Sequence, residues 1–219
     1  MRKLIICLLI VSGCAEGNSV FFEQPQPLNE KDLKSIPLRL RGEYISLDNN
    51  QKLIVDREKM ILDRYYNFME HKDSLEIDST NIHIDNDVRY YEDEDGFSYS
   101  LKLHADSVSI EFVQSDTLFY LSEKTKLRSW KSNYFLNTSA GEDKWEVIMV
   151  QFKRGNLYLS EVAPAEFNKE VEELSDSPKI EEEHPSSNQP EYIRLDSKRE
   201  LKEIIKTRFQ KTLSFRKIN

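Results

Sequence analysis

Two closely spaced pairs of carboxylates, Asp85 with Asp87 and Asp93 with Asp95, are the residues best placed by type and spacing to do chemistry. On a strand, positions two apart share a face about 7 Å from each other. That is close enough to hold a calcium ion or to supply acid and base to a glycosidic bond. A calcium loop of the helix-loop-helix kind fails on spacing. If Asp93, Asp95 and Gly96 took its third, fifth and sixth places, its first would be Tyr91 and its last Lys102, neither suitable. The pairs therefore read as the solvated tips of hairpins, with a glycan-directed hydrolase as the alternative. His71, His83, His104 and His184 are not spaced as metal ligands, and no His-Glu-x-x-His motif occurs. The six glycines are never clustered, so no phosphate cradle is formed. There is no Gly-x-Ser-x-Gly elbow either. No catalytic residue, metal or cofactor is indicated, and a binding function is favoured over an enzymatic one.

The first fourteen residues, MRKLIICLLIVSGC, carry the most specific motif. Arg2 and Lys3 precede the eight apolar residues Leu4 to Val11, the pattern of an export signal and too short to span a membrane. Val11, Ser12, Gly13 and Cys14 follow the order aliphatic, small, small, cysteine, and this resembles the lipobox of bacterial lipoproteins. The resemblance implies diacylglyceryl transfer to the Cys14 thiol, cleavage before it, and further acylation of the palmitate type. The membrane is then a partner through the N-terminal acyl chains. Two such chains anchor a protein stably. The only other cysteine, Cys7, lies within the signal, so a mature chain would keep no thiol for a disulfide or a nucleophile. Cys14 is followed by Ala-Glu-Gly-Asn, without the Asp that retains many lipoproteins in the inner membrane. The family rule then implies the outer membrane and a periplasm-facing position.

Charge agrees with such a setting. The 219 residues carry 39 acidic and 31 basic side chains, a formal net charge of -8. General affinity for nucleic acid phosphates is thereby excluded.

The elements that must position these residues are strands. Between Leu38 and Val162 the apolar pattern has period two, clearest at Phe97, Tyr99, Leu101 and Leu103. Turn residues punctuate it at Asp48-Asn49-Asn50, Asp95-Gly96, Ser139 to Glu142 and Gly155-Asn156, which predicts sequential antiparallel hairpins. Leu75 to Ile77 and Ile82 to Ile84 read as short strands. The aromatic residues, 11% of the chain, are expected mainly to fill the core and pair across strands. Tyr192 to Leu195 reads as a strand, Ser197 and Glu200 as a capping box, and Leu201, Ile204 and Ile205 as one apolar helix face. Leu213 and Phe215 alternate in a final strand.

The expected fold is mainly β: an antiparallel meander, open to a barrel-like, lipocalin-like closure, with a C-terminal helix and final strand. Its segments are a signal peptide over 1–13, a lipidated tether over 14–37 and an antiparallel β domain over 38–162. An acidic, Pro-containing linker or loop over 163–190 and a strand-helix-strand ending over 191–219, packed on the β domain, complete it. The stretch SDTLFYLSEKTKLRSWKSNYFLN, with WEVIMVQFKRGNLYL after it, is similar to envelope lipoproteins of Bacteroidota without assigned activity. This likeness implies a β-rich fold and an envelope location, and it transfers no catalytic residue. The function expected is a membrane-anchored envelope lipoprotein that binds a small ligand or an envelope protein.

Overall fold

A computed structural model describes residues 19–71, 82–85, 88–92, 98–164 and 190–218, with the backbone alone over 82–85, 88–92 and 98. In chain order its first strands are β1 (Val20–Phe22), β2 (Gly42–Ser46), β3 (Gln51–Val55), β4 (Lys59–His71) and β5 (Ile82–Asp85). Then come β6 (Val88–Glu92), β7 (Ser98–Leu103), β8 (Ser107–Tyr120), β9 (Thr125–Trp130) and β10 (Asn133–Gly141). The last are β11 (Lys144–Lys153), β12 (Asn156–Val162), β13 (Glu191–Ile193), the helix α1 (Lys198–Thr207) and β14 (Phe209–Ile218). The fold is mainly β and mostly antiparallel, as the period-two pattern predicts. β1 and β13 pair in parallel, with Val20 opposite Glu191. No helix among the described residues is long and apolar enough to cross a membrane.

The chain forms two compact units rather than one domain over 38–162. Of the described residues, the first unit takes 19–34, 121–152, 158–164 and 190–212. In it β10 pairs with β9 on one side and β11 on the other, and β11 also pairs with β1 and β12. Its core is Phe22, Phe135, Val147, Met149, Ile193, Leu195 and Leu201, with Leu28, Ile204, Ile205 and Phe209 packed around it. The helix sits here because its apolar residues recur at one face. Its start is capped as the sequence predicts: the Ser197 hydroxyl accepts from the Glu200 N–H at 3.3 Å. The Glu200 carboxylate reaches back one residue further than a standard capping box, to the Asp196 N–H at 2.7 Å.

Residues 20–37 pack against the fold. Phe22 and Ile36 are fully buried. The prolines and polar residues that suggested a linker are fastened by side chains distant in sequence. The Gln26 N–H donates to Asn137 Oδ1 at 2.6 Å, and Arg128 Nη1 donates to the carbonyls of Pro25 and Pro27 at 2.6 and 3.0 Å. Arg128 Nε also pairs with Asp32 at 2.7 Å.

The second unit takes described residues 35–71, 82–85, 88–92, 98–120, 153–157 and 213–218. Its strand order is β14, β2, β3, β4, β8, β7, β6, β5. No pairing among the described residues joins β5 back to β14. Met60 to Met69 belong to one strand of 13 residues, and its partner β8 has 14. These are more than twice the common strand length.

Candidate functional site

The β4–β8 ladder fixes what each face presents, because directly opposed residues point to the same side of a sheet. On one face Met60 stands opposite Phe119, Leu62 opposite Asp116, Arg64 opposite Gln114, Tyr66 opposite Phe112, and Phe68 opposite Ile110. Met60, Leu62 and Phe119 are buried with their β3 partners Val55 and Leu53. Arg64 then interrupts the apolar phase and forms an ion pair with Asp116. Beyond that polar row the apolar phase resumes, but in solvent: Tyr66 is 39% exposed and Phe68 37%.

Phe112 is the centre of this second apolar region. Tyr66 stacks on it at 4.7 Å between centroids and 13° between planes. Tyr99 of β7 and Phe68 of β4 meet it edge-on at 5.3 and 6.2 Å. Leu101, Val108 and Ile110 are buried, and Tyr99 packs against them. The upper edge is polar: the Tyr66 hydroxyl donates to Gln114 Oε1 at 3.3 Å. The opposite face of the same ribbon carries exposed Tyr65, Met69 and Val113, with Asn67 Nδ2 donating to Glu111 at 3.0 Å. An aromatic surface with amide, guanidinium and carboxylate groups at its rim can hold an apolar or ring-bearing ligand.

The expectation that aromatics fill the core therefore holds for Phe22, Tyr44, Phe119, Phe135 and Phe215, which are buried, and fails for Tyr65, Tyr66 and Phe68. The signal that could have marked the difference is Arg64, a charge in the inward phase of an unusually long strand. Past it, the strand leaves the core.

The carboxylate pairs are not assembled into a described site. Asp85 ends β5 opposite Val88, with its side chain outside the described residues, while Asp87, Asp93 and Asp95 lie outside them altogether. The lipobox residues Val11, Ser12, Gly13 and Cys14 also lie outside them, as do Phe97, the Asp95-Gly96 turn, Leu75 to Ile77, and His184. Among the described residues no group of three or more His, Cys, Asp and Glu side chains could hold a metal ion. His104 Nε2 lies 2.8 Å from the hydroxyl of Ser109, a nucleophile-and-base contact in outline. Ser109 is buried and no described carboxylate bonds the ring, so the contact serves to tie the β7–β8 turn, where His104 N–H donates to Ser107 O at 2.9 Å.

One carboxylate pair that the sequence did not single out does interact. In the first unit the Glu161 carboxyl is raised above its ordinary pKa, first by partial desolvation and then by the charge of Glu146. Both residues are solvent-accessible. They lie on a sheet surface, where the charge of Glu146 disfavours ionisation of Glu161.

No family model, no curated protein and no solved structure matches the chain.

Proposed function

We propose that the chain is a lipid-anchored protein of the bacterial envelope, acylated at Cys14 and held in the outer membrane facing the periplasm, which binds a ligand or partner and does not catalyse a reaction. The anchor rests on the sequence Val11-Ser12-Gly13-Cys14 behind a basic and apolar leader. The binding role rests on one observation, the cluster in which exposed Tyr66 and Phe68 of β4 meet the half-buried rings of Phe112 and Tyr99. An exposed contiguous apolar patch with a polar rim marks a contact surface.

Native mass spectrometry of the full chain, extracted gently from its host envelope, tests both parts. The anchor predicts added acyl mass on a chain beginning at Cys14, and an unacylated chain would overturn it. The binding role predicts a further bound mass in the wild type that Phe112→Ser loses while its melting temperature shows the protein still folded. A wild type with no bound species, or a species retained by Phe112→Ser, would overturn the assignment to this face.

A further inference from the structure

In the first unit, the chain enters the described fold beside the end of α1. The Ser19 carbonyl accepts from the Glu191 N–H at 2.8 Å, and the Glu191 carboxylate takes two bonds from Arg208, at 2.8 and 2.7 Å. Arg208 closes the helix, its N–H donating to Ile204 O at 2.9 Å. Cys14 is five residues before Ser19, and however those residues are arranged they span at most about 18 Å. A bilayer that holds Cys14 therefore lies within about 18 Å of the entry at Ser19, next to the last turn of α1. At about 1.5 Å of rise per residue, Lys202 and Arg199 stand only about 9 and 14 Å back along the helix axis from Arg208.

The outward face of this helix is basic. Leu201, Ile204 and Ile205 turn to the core, while Arg199, Lys202, Glu203 and Lys206, spaced i, i+3, i+4 and i+7, form one exposed stripe. Lys206 pairs with Glu203 at 3.0 Å. The bond and charge of Lys206, and then the charges of Lys202 and Arg199, lower the Glu203 carboxyl below its ordinary pKa, so one carboxylate lies among three cations. The stripe belongs to an ending, residues 191–219, with nine Lys and Arg against four Asp and Glu, in a chain whose net charge is -8. Resting on the acylation of Cys14 proposed above, we infer that this stripe docks on anionic phospholipid headgroups and fixes how the first unit stands on the membrane. The match is one of charge, and it acts only at close range, since attraction of Lys and Arg to an anionic leaflet fades over a Debye length of about 8 Å. Three cations do not recruit an acidic chain from solution. The acyl chains supply the proximity, which makes a weak headgroup contact an intramolecular one.

The test uses the acylated chain, purified from its host membrane and reconstituted in vesicles, with its acyl mass measured first. Cleavage removes Cys7 and acylation blocks the Cys14 thiol, so a fluorophore on Thr207→Cys or on Glu142→Cys has a unique site. Glu142 is the control: it is exposed, and because β1 and β11 are antiparallel with Phe22 opposite Trp145, it lies about 20 Å from Ser19 along the strands, on the side away from the entry. A lipid with a nitroxide on its headgroup quenches the fluorophore that meets the surface. In vesicles of phosphatidylethanolamine and phosphatidylglycerol, quenching at 207 is expected to be at least about threefold that at 142. It should fall to the level at 142 in vesicles of phosphatidylcholine alone. The same fall is expected for Arg199→Glu, Lys202→Glu, an exposed double change that keeps good helix formers, with the melting temperature checking that the fold is intact. An acylated chain quenched equally at both sites, or quenched at 207 regardless of lipid charge and of the double variant, would overturn the inference and leave the anchor standing. A chain without acyl mass would overturn the anchor and the inference together.

Discussion

Arg208 and Glu191 meet through two parallel bonds, Nη1 to Oε1 at 2.8 Å and Nη2 to Oε2 at 2.7 Å, at the C-terminal end of α1. The same guanidinium donates to Ala163 O from Nε at 3.0 Å and from Nη2 at 2.7 Å, and the Ala163 N–H returns a bond to Arg208 O at 2.9 Å. Ala163 and Glu191 bound the acidic, Pro-containing stretch that the sequence marks off, so one side chain from the strand-helix-strand ending joins the two places where that stretch leaves and re-enters the described fold. The Arg208 side chain is only 12% exposed. Its interactions are therefore screened less than those of a surface pair.

Replacing Arg208 by alanine removes four hydrogen bonds, two to a half-buried carboxylate and two to a carbonyl. The expected loss is about 2–3 kcal/mol, the scale of charge-assisted hydrogen bonds. Lysine restores the charge but not the planar fork that reaches Glu191 and Ala163 together, so Arg208→Lys should recover less than half of that loss. Urea unfolding of the two variants at neutral pH checks the order. Equal stability of wild type and Arg208→Lys would show that charge alone holds the junction.

Asn137 is a second point of convergence and is fully buried. Its Oδ1 accepts from Gln26 N–H at 2.6 Å, and its Nδ2 lies 2.8, 3.0 and 3.1 Å from the carbonyls of Gln26, Lys126 and Phe135. Asn137→Leu fills the space but leaves the Gln26 backbone unpaired, at an expected cost of about 2–4 kcal/mol. Asn137→Asp should be worse at neutral pH, because an ionised carboxylate would face three carbonyl oxygens, and should regain part of its stability as acid protonates it. Thermal melts from pH 4 to pH 8 separate the two variants. If Asn137→Asp is no more sensitive to pH than Asn137→Leu, the amide nitrogen is not what holds these carbonyls.

How much of this was legible in the sequence follows from the range of the interactions involved. The hairpins β2–β3, β10–β11 and β11–β12 were readable because their turns are local, and the tight ends of the last two place Asp143 and Arg154 at φ 51° and 52°. The Ser197 cap was readable for the same reason. By contrast, β9 shows only Leu127 fully buried within Thr-Lys-Leu-Arg-Ser-Trp, too weak an alternation to stand out. The packing of residues 20–37 depends on Arg128 and Asn137, about a hundred residues away, and composition alone made that segment look like a tether. The aromatic face was legible as strand but not as surface, since only the end of β3 at Gln51 decides where the cover of β4 stops.

Gly42 opens β2 at φ +134°, a conformation that residues with a Cβ rarely adopt. A Cβ there would also stand 2.8 Å from Lys217 Cε, whose ammonium donates to Arg41 O at 2.6 Å and lies 5.7 Å from the Tyr44 ring centroid. Gly42→Ala is expected to cost about 1–3 kcal/mol, most of it backbone strain because the lysine tip can move. The double variant Gly42→Ala, Lys217→Ala separates the causes. Its loss relative to Lys217→Ala should stay close to that of Gly42→Ala alone; a loss that vanishes would assign the effect to the lysine contact.

Tyr44 gives the clearest pH dependence. The side chain is fully buried, its hydroxyl donates to Leu40 O at 2.6 Å, and burial pushes its pKa from 10.0 up to about 12. An acid whose folded pKa is raised holds its proton more tightly in the native state, so it adds nothing to the pH dependence below its unfolded value. Stability then falls as pH rises from about 10 towards 12, where the unfolded phenol ionises and the folded one does not. Tyr44→Phe loses the bond to Leu40, an expected cost of about 1–2 kcal/mol at pH 8, but it has no proton to lose. The stability gap between wild type and Tyr44→Phe should therefore narrow between pH 9 and pH 11, measured by urea unfolding at matched ionic strength. A gap that stays constant across that interval would mean that the phenol can ionise in the folded state as easily as in water, and that the Tyr44 environment is wet.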